Sequence, residues 1–76
     1  MKELLRIIAE PLVEKPNDIN ITETEKEGVI VLELRVNEVD LGKVIGKQGR
    51  TAKAIRTILN AASTRQGKKV TMEIMD

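Results

Sequence analysis

Neither histidine nor cysteine occurs among the 76 residues. The commonest general base and transition-metal ligand is therefore missing, along with any thiolate nucleophile, disulfide framework or Cys-type zinc site. Catalysis would have to rest on carboxylates, lysines or hydroxyls, so no catalytic residue, metal site or cofactor is assigned. Phenylalanine, tyrosine and tryptophan are absent as well. That argues against sheet-based RNA readers and most OB-folds, whose bases stack on aromatic platforms, and it requires any nucleic-acid groove here to be aliphatic. No apolar run approaches the ~20 residues of a membrane-spanning helix. The opening MKELLRIIAE carries acids and lacks a small-residue cleavage site, so a cytoplasmic protein without membrane contact is expected.

What is present is aliphatic and charged, at 41% hydrophobic and 33% charged residues, which describes a folded chain and not a disordered one. The length sets one small domain as the ceiling, with a core that is marginal unless something else supports it. The net charge of +1 hides an asymmetry. Residues 1–40 carry five cations (Lys2, Arg6, Lys15, Lys26, Arg35) against ten acids, or −5; residues 41–76 carry eight (Lys43, Lys47, Arg50, Lys53, Arg56, Arg65, Lys68, Lys69) against Glu73 and Asp76, or +6. Such a division points to a polyanion on the basic side.

Along the chain, Leu4, Leu5, Ile8 and Leu12 follow helical spacing, with Pro11 placed to kink that first helix or split off its last turn and Pro16 to help end it. Ile19 and Ile21, then Ile30, Leu32, Leu34 and Val36, alternate as two strands joined by Lys26-Glu27-Gly28. The first is polar enough to be an edge, its Glu23, Glu25 and Glu27 protecting it by charge. Val29 and Val31 suggest that the second is central, with part of its other face covered. Asp40 can cap a short helix, LGKVI, and a longer one is expected from Arg50 to Gln66, with Ala52, Ile55, Ile58, Leu59 and Ala62 toward the core and Gly67 as a left-handed cap. Val70, Met72 and Ile74 form a last strand. The order α-β-β-α-α-β predicts an α+β fold. Its three-stranded mixed sheet has the 29–36 strand between the antiparallel 19–25 and the parallel 69–75 strands, and three helices pack on one face.

The stretch GKVIGKQGRTAKAI, Gly42 to Ile55, sets three glycines among four cations in the most helix-prone part of the chain. It is not a P-loop, because Gly42 and Gly46 are too close and Gln48 follows Lys47 where a metal-binding hydroxyl should stand; nor does the spacing of Gly42, Gly46 and Gly49 match a dinucleotide fingerprint. What remains is G-x-x-G between two helices. Its glycines permit a tight corner and let a phosphate backbone approach without Cβ interference. The helix start that follows favours an anion, and Lys47, Gln48 and Arg50 add charge and donors.

LGKVIGKQGRTAKAIRTIL resembles the KH domain, and more closely the small single-KH bacterial RNA-binding proteins of the KhpA type. The likeness spans the chain. Residues 1–28 supply the extra helix and edge strand of the prokaryotic, type II form, and 29–76 the minimal β-α-α-β motif. The resemblance implies a type II KH fold over 1–76 in which Gly46, Lys47, Gln48 and Gly49 clamp about four nucleotides of single-stranded RNA by their backbone. Gly42, Lys43, Val44, Ile45, Arg50, Lys53 and Ala54 would form the groove or its rim. Apolar residues at helical spacing are equally expected in a core, so Val44, Ile45 and Ile55 have that second reading. Lys68 and Lys69 are either a solvated turn or outer RNA contacts. The family likeness further implies an RNA chaperone or post-transcriptional regulator that forms a homodimer, or a heterodimer with a larger KH-containing RNA-binding protein, with links to cell-wall and cell-shape control. A stripe of small side chains, Ala54, Thr57 and Ala61, lies opposite the core arc and permits close approach by a partner helix. The alternative function is a protein-interaction subunit for which RNA contact is secondary.

Overall fold

Alternating apolar residues in three separate segments become one sheet, and the amphipathic segments between them become its helical cover. The computed structural model describes residues 1–76. Its elements are α1 (Lys2–Ala9), β1 (Asn20–Lys26), β2 (Val29–Arg35), α2 (Leu41–Ile45), α3 (Arg50–Thr64) and β3 (Lys69–Met75). Single 3-10 turns lie at Glu10–Leu12, Pro16–Asp18, Glu38–Asp40 and Lys47–Gly49. The sheet order is β1-β2-β3. β1 runs antiparallel to β2 with Ile21 opposite Leu34, and β3 runs parallel to β2 with Val29 opposite Lys69. This is the expected α+β fold with a mixed sheet and three helices.

The hairpin between β1 and β2 closes in two residues, Glu27 at φ 54° and Gly28 at φ 79°. Two successive left-handed residues give the turn whose twist matches that of the strands it joins. One face of the sheet presents Ile21, Ile30, Leu32, Leu34, Val70 and Met72 to Leu5 and Ala9 of α1, Val44 of α2, and Ile55 and Leu59 of α3. Each fully buried leucine among them contributes about 1.5–3 kcal/mol. On the other face Val29 and Val31 are only half-buried and Thr24 and Thr71 are exposed, so that side is open to solvent. The expected cover there is not found.

Two helices differ from their sequence reading. α1 stops at Ala9 because Pro11 has no N–H to bond to the carbonyl four residues back; the chain passes through one 3-10 turn and becomes extended at Val13, with φ −112° and ψ 154°. Leu12 is consequently on the surface, and Ala9 takes the core position. Pro16 opens the next turn and does not end a helix. α3 ends at Thr64, with Gly67 left-handed at φ 69° as expected. Its buried strip is Ala52, Ile55, Leu59 and Ser63; Ile58, expected inside, is 47% exposed. The strip advances by three or four residues per step, and Ile58 falls off its edge. Ser63 can end the strip because its hydroxyl donates to the Asn60 carbonyl at 3.1 Å.

Candidate nucleic-acid interface

α2 is halted by Gly46, whose φ of 77° and ψ of 171° lie where side-chain-bearing residues rarely go. Its N–H still donates to the Gly42 carbonyl at 2.8 Å, closing the last turn of α2, and its own carbonyl accepts from the Gly49 N–H at 3.1 Å. Gln48 (φ 58°, ψ 25°) and Gly49 (φ 76°, ψ 13°) then turn the chain through two left-handed residues into α3. The two glycines serve different ends. A Cβ on Gly46 would overlap Thr51, meeting its Oγ1 and lying 2.7 Å from its Cβ and 2.8 Å from its backbone N. A Cβ on Gly49 would meet nothing within 4 Å. Gly46 is therefore required by the fold of the corner, whereas the space before Gly49 is open to an incoming group.

Lys47 and Gln48 are exposed at the tip of this corner, with Arg50, Lys53 and Ala54 exposed on the first turns of α3. The Arg50 guanidinium donates to Gln48 Oε1 at 3.5 Å. Lys47, Arg50 and Lys53 take part in none of the five ion pairs of the molecule. No side chain caps the N-terminus of α3, so its positive dipole end and the three cations face the same solvent. Gly42 is exposed and Ile45 half-buried, while Val44 is wholly buried in the core and holds α2 down from beneath. Ile55 is likewise a core residue.

Lys43 is placed differently from the other cations. Its ammonium lies 3.1 Å from Glu14 Oε1 and 3.5 Å from Asp40 Oδ1. Asp40, expected as a helix cap, makes no cap bond to α2; its wholly buried carboxylate accepts the N–H groups of Glu14 at 2.9 Å and Lys15 at 3.0 Å. It is a latch that fixes the extended exit of α1 to the start of α2. The Glu14 N–H is the foremost cause holding the Asp40 carboxyl below the usual carboxylate range; burial opposes it, and the Lys15 N–H and Lys43 ammonium reinforce it. The hydrogen bond to Glu14 raises Lys43 above the ordinary lysine value against the cost of desolvation, with the Glu14 and Asp40 charges adding to it.

Lys68 and Lys69 stand at the opposite end of α3, whose 15 residues span about 22 Å. Lys68 is bound to Glu25 at 2.8 Å and Lys69 is exposed. Ala54, Thr57 and Ala61 do form an exposed row on α3, with Ile58 beside it. Sequence reasoning missed Arg56 and Asn60. β3 turns the polar groups of Val70 and Met72 to its free edge. There Asn60 Oδ1 accepts from the Val70 N–H at 3.2 Å and the Arg56 guanidinium donates to the Met72 carbonyl at 3.3 Å. Their position on the flank between the core strip and the exposed row is the only sequence signal they gave. Glu23 also has a local role, accepting the Lys2 N–H at 2.7 Å at the start of α1.

Comparison with known proteins places this geometry in context. Residues 2–74 match the family model described as KhpA/KhpB, KH domain. The RNA-binding protein KhpA of Clostridium perfringens is 56% identical over 75 residues, covering 99% of this chain and 100% of that protein. The RNA-binding protein KhpA of Bacillus subtilis is 50% identical over 76 residues, covering 100% of this chain and 94% of the relative. Among solved structures, Era in complex with MgGDPNP and nucleotides 1506–1542 of 16S ribosomal RNA is similar, with a TM-score of 0.60 and 26% identity. That match covers 97% of this chain but 28% of the Era chain.

Proposed function

The chain belongs to the KhpA/KhpB KH-domain family, and from that premise we propose that it is a non-catalytic cytoplasmic protein that grips single-stranded RNA at Gly46, Lys47, Gln48 and Gly49. The observation that carries this reading is the group of three exposed, unpaired cations, Lys47, Arg50 and Lys53, around the uncapped start of α3. Phosphates approach the open side of Gly49, Lys47 and Arg50 neutralise them, and bases rest against Ile45, Ala54 and the exposed backbone at Gly42. Of the two lysines at the far end of α3, Lys68 is held by Glu25, which leaves Lys69 as the outer contact for a strand long enough to continue along α3. The family likeness supports the wider role of an RNA chaperone or post-transcriptional regulator, acting in cell-wall and cell-shape control through one domain that occupies residues 1–76.

The test is Lys47→Asp combined with Gln48→Asp. Both positions are exposed, so circular dichroism should show an unaltered fold, while affinity for a labelled single-stranded RNA falls at least about tenfold because two carboxylates face the phosphates. A folded double variant with native affinity removes the loop from the site.

A second reading, assembly with another KH protein or a second copy, is favoured by Ile58, a large aliphatic side chain 47% exposed beside Ala54, Thr57 and Ala61. Sedimentation is expected to show a dimer at tens of micromolar, roughly where modest interfaces operate. Ile58→Asp should give a folded monomer; a native chain that is monomeric and retains no KH partner would end this reading.

A further inference from the structure

Lys43 lies three residues before Gly46, within one turn of the helix that delivers the loop, yet its ammonium is already held by Glu14 and Asp40. The two carboxylates are not equivalent. Asp40 is wholly buried and tied to two backbone N–H groups, so it stays where it is. The Glu14 side chain is 70% exposed and has no polar partner other than Lys43. The Lys43 charge is thus already compensated on the side of the loop that faces the exit of α1, while Lys47, Arg50 and Lys53 on the α3 side are in no ion pair. Resting on the RNA reading above, we propose that Glu14 sets the strength and extent of RNA binding by competing with a phosphate for Lys43.

An exposed ion pair is weak, and rotation of the Glu14 side chain removes the shorter of the two contacts on the lysine, leaving only the 3.5 Å one to Asp40 for a phosphate to outcompete. The backbone N–H of Glu14 remains on Asp40 while this happens, so the latch does not have to open. With Glu14 in place the phosphates beside the loop are held by Lys47, Arg50 and Lys53 alone. With Glu14 removed, a fourth cation joins the site and the bound strand extends by one phosphate.

The test is Glu14→Gln, which keeps the backbone bond and removes the charge, titrated with a labelled single-stranded RNA at several salt concentrations. Affinity is expected to rise about two- to fivefold, the range of an exposed ion pair. The plot of log affinity against log salt should steepen by about 0.7, the contribution of one further single-strand phosphate. Lys43→Gln should erase the gain when combined with Glu14→Gln. Glu3→Gln makes the same change in net charge at the far end of α1 and should leave affinity unaltered. Native affinity in Glu14→Gln, or a gain that survives loss of Lys43, or an equal gain in Glu3→Gln, would overturn the proposal. If the native chain binds no RNA, the function itself is wrong; if it binds and Glu14→Gln changes nothing, only the competition is.

Discussion

Gly46 and Gly49 share a motif but do not share a reason. At Gly46 the φ of 77° with ψ of 171° excludes ordinary side chains, and Thr51 fills the space where a Cβ would project. Gly46→Ala therefore adds overlap to backbone strain, and we expect it to destabilise the fold by about 3 kcal/mol or more. Gly49 has a left-handed backbone with nothing nearby, so Gly49→Ala should cost only about 1 kcal/mol. Urea unfolding followed by circular dichroism measures both, since the chain has no tyrosine or tryptophan to report by fluorescence. Equal losses would mean that the Thr51 contact does not matter. The sequence showed that both positions had to be glycine-like; Thr51 gave no sign of its part, because its role depends on the angle at which α2 and α3 meet.

Between elements, the main polar connection is Asp40, which joins the end of the α1 segment to the start of α2 across 25 and 26 residues of chain. Its pKa is lower folded than unfolded, so the unfolded chain binds more protons as pH falls toward the carboxylate range. The latch thus stabilises fully above about pH 4, the unfolded value, and is lost as pH falls through the lower folded value. Lys43 is raised, so its contribution is complete below the ordinary lysine value of 10.5 and is lost as pH climbs through the folded value. Asp40→Asn is expected to lower stability at neutral pH and to flatten its dependence on pH below about 4, as measured by thermal unfolding across a pH series. An unchanged acid profile would show that other carboxylates govern it. The element order and β3, from Lys69 to Met75, were legible from periodicity alone. The early end of α1 was not, because Leu12 continues the helical spacing past a proline that breaks the backbone bonding.

Across the whole molecule, the two electrical halves of the sequence become two sides. α1 lies over β1 and α3 over β3, at opposite edges of a sheet whose order follows the chain. The seam between them is crossed by Lys43 to Glu14 and Lys68 to Glu25, so two cations of the basic half are bound by the acidic half. That leaves Lys47, Arg50 and Lys53 free at the loop. Three phosphate contacts on a single strand give an expected slope of log affinity against log salt of about −2. Titration with labelled oligonucleotides should show this slope and weaker binding to duplex, whose paired bases cannot enter a groove. Salt-independent binding, or equal affinity for duplex, would mean that the basic side meets something else.

Fold class, strand order and the loop were readable from the residues alone, because they follow from local signals: a hydrophobic period of two or near 3.6, and paired glycines at a corner between two helices. It also placed Gly46–Arg50, Lys53 and Ala54 together, since they are neighbours along one corner and one helix. Which charges remain free was settled by packing between distant segments. Lys43 and Lys47 have the same side chain and stand four residues apart, yet one meets Glu14 and Asp40 and the other meets solvent. Ion pairing depends on where distant segments are brought by packing, and the Glu14 segment reaches Lys43 only because the Pro11 turn redirects the chain and the buried Asp40 carboxylate then holds it there.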